Sequence, residues 1–269
     1  MEAAMSTASP SPTQAPRALR HRRSVRRLTA GQLADLREAV SRAQTVGDDR
    51  GYQAWAGIHG LPLPISCTHH NELFLPWHRA YLYLFEKALQ DQVPGVTLPW
   101  WDWTAGHAEG IPDAYARRSG GGRKNSLFDS PIQPSGRANP RQARTTRSPG
   151  PPGALPEAGE VSEILENRDF LTFQTQLESV HDGVHVWVGG TMGDIATAAY
   201  DPLFWAHHCM IDRLWYLWQL DHPGAGIPAR LRDRALAPFP LTVRDTLDVA
   251  RLGYDYAAST AVAGGPGHG

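Results

Sequence analysis

The stretch CTHHNELFLPWHRAYL, residues 67–82, sets three histidines, a cysteine and a tryptophan into an otherwise apolar run. Proline fits the first turn of a helix and not its interior, so a helix is expected to begin near Pro76. His78 then falls in the first turn. Tyr81, Leu82, Phe85 and Leu89 supply a buried face, and Trp77 joins Tyr81 and Leu82 in packing that holds His78 in place. Upstream, a helix over about residues 49–59 ends in WAGIHG, so His59 is its last residue before Gly60. Further back, Thr29 caps a helix whose apolar stripe is Leu33, Leu36, Val40 and Ala43, ending near Gly47.

Downstream, helical texture returns over residues 169–187, DFLTFQTQLESVHDGVHVW, and 201–220, DPLFWAHHCMIDRLWYLWQL, where Asp201 is a good N-cap and Pro202 a good first helical residue. In HDGVH, His181 and His185 are four apart, so they stack one turn above the other and can face one metal ion. Glu178 adds a carboxylate on that face. His207 and His208 are adjacent and point about 100° apart, so only one of them faces a given site. Two groups result, each able to furnish three imidazoles. The first is His59, one of His69 or His70, and His78; the second is His181, His185 and one of His207 or His208. All-imidazole donor sets suit copper, zinc, iron and nickel. Zinc is the general-purpose occupant, but two such trios in one chain are unusual for it.

The rest of the chain frames these segments. At 269 residues, 41% hydrophobic and 20% charged, the composition is that of a globular protein with one sizeable core. A formal charge of −1 gives no electrostatic reason to bind nucleic acid or an anionic membrane, and no apolar run has the length of a membrane span. Residues 1–27 read as a disordered basic arm with no apolar core of a secretory signal, which implies a cytoplasmic rather than a secreted protein. Residues 105–159 dissolve into Gly, Pro, Arg and Ser and read as a long surface excursion within a domain over residues 28–257. The Ala- and Gly-rich residues 258–269 read as a flexible tail. Two cysteines make a disulfide framework unexpected. The tryptophans of PWWDWT and RLWYLW read as core, Asp212 and Arg213 as a polar pair fixing their helix, and Cys209 as a small buried side chain.

Taken together, GIHG, C-T-H, FLPWHRAYL, LPWWDWT, HDGVHVWVGG and DPLFWAHHCMIDRLW resemble, in order and over roughly residues 52–220, the tyrosinase family of type-3 copper proteins, which includes tyrosinases, catechol oxidases and mollusc-type hemocyanin units. The resemblance implies a mainly α fold: a four-helix bundle around a dinuclear copper centre, with long irregular loops and little β structure. It implies two copper ions as cofactors and dioxygen as co-substrate. Residue by residue, it assigns His59, His69 and His78 to the first copper, and His181, His185 and His208 to the second. In some members a cysteine two residues before the second ligand is joined to it by a thioether, which implies a Cys67–His69 crosslink.

The implied activity is oxidation of o-diphenols to o-quinones, with some hydroxylation of monophenols. An o-aminophenol oxidase on the same scaffold and a hemocyanin-like oxygen carrier are the alternatives. In members that hydroxylate, a glutamate and an asparagine orient a water. Here Glu178 matches the first, and Asp182 stands in place of the second. Asp182 either accepts the phenol's proton more strongly than an amide would or forms an ionic hydrogen bond with a ligand imidazole. Ile195 falls where relatives place a residue over the substrate ring and, being aliphatic, leaves the pocket open; Phe204, one turn before His208, could pack on a ligand ring. No chain remains beyond about residue 253 for a covering domain, so no proteolytic activation is expected. The implied partners are a small phenolic substrate and a copper-delivery protein.

Overall fold

The structure, a computed structural model, describes residues 18–62, 64–105, 110–120, 122–133 and 143–256. Seven α-helices dominate the described residues: α1 Ala30–Ala43, α2 Tyr52–His59, α3 Phe74–Gln92, α4 Asp113–Ala116, α5 Ala158–Leu165, α6 Phe170–Val188 and α7 Leu203–Asp221. Strand content is small. β1 Arg20–Arg22 pairs in parallel with β4 Tyr254–Tyr256, and β2 Ser119–Gly120 with β3 Arg123–Lys124 forms a short hairpin.

Local chemistry starts these helices where the sequence predicts. At α1, Thr29 and Gln32 form a reciprocal capping box, and Leu36, Ala39, Val40 and Ala43 are buried. Asp169 caps α6 by accepting from Thr172 N at 2.9 Å. Ahead of α7, Pro202 already has helical dihedrals and the extended Asp201 accepts from Leu203 N at 2.8 Å. The helix after the opening stretch begins at Phe74 rather than Pro76, which moves His78 into the second turn. Pro76 still costs no hydrogen bond there, because the first amides of a helix have no internal acceptor.

The long helices α3, α6 and α7, of 19 residues each, pack on one another, and α2 closes the bundle against the turn at Ala198–Tyr200. Trp77, Trp101, Trp103, Trp215 and Trp218 are buried, as expected of core tryptophans. Such large side chains contribute roughly 1.5–3 kcal/mol each on burial.

Three expectations need correction. The basic arm ends sooner than residue 27: Arg22 is 0% exposed, its Nε donates to Glu86 Oε2 at 2.9 Å and its Nη1 to Asp212 Oδ2 at 3.1 Å, while β1 is zipped to β4. Residues 1–17, and the tail at 258–269, lie outside the described residues. The excursion is not confined to the surface either. Arg147 carries its guanidinium inward to Asp201, with Nη2–Oδ1 at 2.6 Å, and Asn125 is fully buried against the carbonyls of Ala114 and Arg117. Thr191 N and Ser148 N stitch the excursion to the end of α6, through Thr146 O at 2.8 Å and Val188 O at 3.0 Å. The Gly-Gly of HVWVGG permits this approach: both glycines have positive φ, and a Cβ on Gly190 would lie 2.3 Å from Thr146 O. Finally, Asp212 and Arg213 are not a pair. Asp212 faces Arg22 and Arg79, whereas the Arg213 guanidinium lies 4.1 Å over the Trp100 ring.

Candidate metal centre

His59 ends α2, His78 lies on α3, His181 and His185 lie one turn apart on α6, and His207 and His208 lie on α7. His69 reaches in from the loop before α3. Gly60 makes the α2 end fit: a Cβ there would stand 2.1 Å from Ala196 O, and Leu61 N donates to that carbonyl at 2.9 Å. Four helices and one loop thus deliver their imidazoles to the middle of the bundle.

The rings converge in two groups, His59 with His69 and His78, and His181 with His185, His207 and His208. Within them, His69 Nε2 lies 3.3 Å from His59 Nε2, and His208 Nε2 lies 3.2 Å from His181 Nε2 and 3.1 Å from His185 Nε2. The groups abut. His78 and His208 stack with centroids 4.6 Å apart, and His69 and His181 are 5.5 Å apart.

Hydrogen bonds cannot satisfy all the close nitrogens. His78 Nδ1 faces the Phe74 carbonyl at 2.8 Å and His185 Nδ1 the Met192 carbonyl at 2.8 Å, while His181 Nδ1 faces Asp182 Oδ1 at 3.0 Å. These oxygens accept, so in these three rings Nδ1 carries the proton of the neutral form and Nε2 presents a lone pair. Burial favours the neutral form throughout. It pushes His69 and His185 down to about 4, and holds His59, His78, His181 and His208 well below the usual imidazole range. His208 Nε2 carries at most one proton, so it can satisfy at most one of the His181 and His185 lone pairs it faces, and buried His78 Nε2 has no hydrogen-bond partner. A cation removes both problems. Two nitrogens each about 2.0 Å from one ion in a tetrahedral arrangement stand about 3.3 Å apart, the spacing found here. Neutral imidazoles with Nδ1 anchored to carbonyls or carboxylate are the donor set that copper takes.

The alternatives left by the sequence separate on geometry. His69 enters the cluster, whereas His70 adopts φ 53°, turns its ring outward and gives its backbone N–H to Glu178 Oε1 at 2.6 Å. His208 brings its Nε2 to both α6 histidines. His207 is fully buried, stacked on His181 with centroids 5.1 Å apart and flanked by Trp101 and Trp103.

A cavity of about 250 Å³ opens from this centre to the surface, lined by histidines on its floor and by Asp182, Val186, Met192, Ile195 and Ala198 around it. Ile195 sits at the rim, 43% exposed, in keeping with an open pocket. Glu178 and Phe204, expected at the substrate pocket, do not line this cavity, although Phe204 packs on a ligand ring as expected. Phe204 is buried beneath the centre, stacked 4.0 Å from His208 and edge-on to His59 at 4.8 Å, because one turn of α7 carries it into the bundle interior and away from the cavity. Glu178 faces a neighbouring groove; burial pushes its carboxyl up to about 7, opposed by the His70 amide and ring. Asp182 resolves as a hydrogen-bond partner of His181, its pKa raised by burial. The sequence did not single out Met192, whose carbonyl anchors His185, or Val186, exposed at the cavity rim. The Gly-Gly turn after α6, which folds Met192 back onto that helix, was the available signal.

A helical bundle enclosing two abutting trios of neutral imidazoles defines a type-3 copper protein, and the two groups fit a pair of copper ions. The chain belongs to the tyrosinase family: the common central domain of tyrosinase matches residues 49–221. It is 31% identical over 277 residues to Hemocyanin A-type, units Ode to Odg, of Enteroctopus dofleini; the match covers 87% of this chain and 21% of that protein. It is 36% identical over 197 residues to the tyrosinase of Streptomyces glaucescens, covering 60% of this chain and 68% of that one. A functional unit from octopus hemocyanin superposes with a TM-score of 0.78 at 30% identity, covering 88% of this chain and 68% of that one.

Proposed function

We propose that the protein is a dicopper phenol oxidase that uses dioxygen to convert o-diphenols to o-quinones, with monophenol hydroxylation as a secondary activity. His59, His69 and His78 would hold one copper, and His181, His185 and His208 the other. When bound, the copper pair supplies two-electron oxidation chemistry with dioxygen; two diphenols and one dioxygen yield two quinones and two waters. The relatives include both hemocyanins and a tyrosinase, so kinship does not choose between carrier and oxidase. The observation that carries the oxidase reading is the cavity itself. It runs from the imidazoles to solvent past Val186 and Ile195, and its volume of about 250 Å³ accommodates one substituted ring. A cavity of about 150 Å³ already holds benzene.

The protein's own groups divide the remaining work. Met192 and Ile195 give the ring an apolar wall, and Asp182 fixes the tautomer of His181 through Nδ1. Phe204 and Tyr81 pack against His59, so the floor does not shift as substrate enters. We also take Cys67 to be joined to His69: thiol S–H and ring C–H are lost, with two electrons passing to dioxygen. Burial pushes the Cys67 thiol up to about 12, so little thiolate exists at neutral pH to engage other partners. The peptide carrying both residues should be lighter by two hydrogens; a free Cys67 thiol in copper-loaded, aerated protein would exclude the bond. Oxygen uptake with catechol tests the main reading. Rapid uptake supports it, whereas copper and oxygen binding without turnover would favour the carrier.

A further inference from the structure

The rim of the cavity carries charge of one sign. Asp182, with its side chain 40% exposed, gives one oxygen to His181 Nδ1; its other oxygen lies 3.7 Å from His70 Nε2, beyond hydrogen-bond distance. A groove shares His70 and Asp182 with the cavity and continues the opening past Glu178 and Glu72. Glu72 is neutralised by Arg230, with Nη1–Oε2 at 2.6 Å, but Glu178 has only the His70 amide as a close donor. On the opposite side, Asp194 lies between the lining residues Gly193 and Ile195 and adds a further carboxylate to that loop. Among the described residues lining the cavity and the groove, none is Lys or Arg. The rest of the rim is apolar: Val186 is 73% exposed and Ile195 43%.

A ring that presents its hydroxyls to the imidazole floor must point its para substituent out through this mouth. We infer that the site selects catechols whose tail is a protonated amine over those whose tail is a carboxylate, with Asp182 the main source of the discrimination. This rests on the phenol oxidase reading above and adds the charge class of the substrate. A cationic tail gains the outer oxygen of Asp182, which no hydrogen bond occupies, while its methylenes cover Val186 and Ile195. A carboxylate tail meets like charge and finds no basic side chain. The position of Asp182 near solvent limits each effect to that of a partly exposed ion pair, but the amine gains where the acid loses, so the two add in the ratio.

The test uses the copper-loaded protein at low ionic strength and compares kcat/KM for dopamine, methylcatechol and hydrocaffeate, which share the oxidisable ring and differ in tail charge. Dopamine is expected to exceed hydrocaffeate by roughly tenfold, with methylcatechol between them. Added salt should close the gap as the screening length falls. Asp182→Asn should narrow it, and Val186→Lys, which adds a cation at the rim without touching His181, should reverse the order. Equal rates, a preference for hydrocaffeate, or a gap indifferent to salt and to Val186→Lys would overturn the inference. If none of the three is oxidised, the oxidase reading fails, and the charge of the mouth is then read from binding. Saturation-transfer NMR with redox-inert phenethylammonium and phenylpropionate should show the ammonium bound more tightly; equal or weaker binding would overturn the inference there as well.

Discussion

Helices α3 and α7 each serve two buried polar clusters, and the two clusters are left in opposite electrostatic states. On α3, His78 turns into the metal centre while the next residue, Arg79, turns away from it. On α7, His208 belongs to the centre and Asp212, one turn later, to the other cluster. That second cluster closes on itself: Arg79 donates to Asp212, Arg22 bridges Asp212 and Glu86, and the hydroxyls of Tyr254 and Tyr256 donate to Asp212 Oδ2. Two guanidiniums meet two carboxylates, and β1 and β4 are tied to the bundle. The histidine cluster has no such closure; it holds more ring nitrogens than its own protons can pair, and His78 Nε2 has no partner. One set of buried polar groups holds the fold together, and the other waits for a cation, which is how a structural cluster and a binding site differ physically.

The sharpest way to break this contrast is Asp212→Asn. It leaves Arg79 buried without a carboxylate and Arg22 with Glu86 alone, and should cost about 3–5 kcal/mol in chemical denaturation. Burial alone would push the Asp212 carboxyl up, but Arg79 and Arg22 outweigh it and hold the group below its usual range. Its folded pKa is therefore depressed, so the stabilisation is complete above about pH 4 and is lost as pH falls through the lower folded value. The wild type should lose stability on acidification in that window, and Asp212→Asn should lose less there. In the centre, His208→Phe keeps the volume and removes one ligand nitrogen from a set that its own protons cannot fully pair. The metal-free protein should change by less than about 1.5 kcal/mol while one copper is lost per chain. A loss as large as that of Asp212→Asn would mean that the histidines are fold-stabilising core. The smallest effect is expected from Asp182→Asn, whose amide oxygen can still accept from His181 Nδ1. Copper affinity at the second trio should fall by about tenfold, read by competition with a chelator.

These differences follow from how far each interaction reaches along the chain. The histidine centre was legible because its elements announce themselves locally: a four-residue spacing on α6, a terminal His59 before Gly60, a capped α1. The choice between His69 and His70 was not readable from spacing alone, since it is made by a left-handed backbone at His70 that the Glu178 carboxylate stabilises. The polar cluster stayed hidden for the opposite reason. Arg22 meets Tyr256 across 234 residues, and no period or cap records such a contact. An arginine in a basic run looks solvated until β4 is folded beside it. The excursion misled in the same way, because irregular backbone is compatible with burial once Arg147 and Asn125 carry its polar contacts inward.

Copper content tests the central claim most directly. Protein loaded with excess copper and freed of unbound metal should hold two ions per chain, and His185→Ala and His69→Ala should each hold one. A wild-type stoichiometry of one, or two ions retained in both variants, would contradict the assignment of two imidazole trios to two coppers.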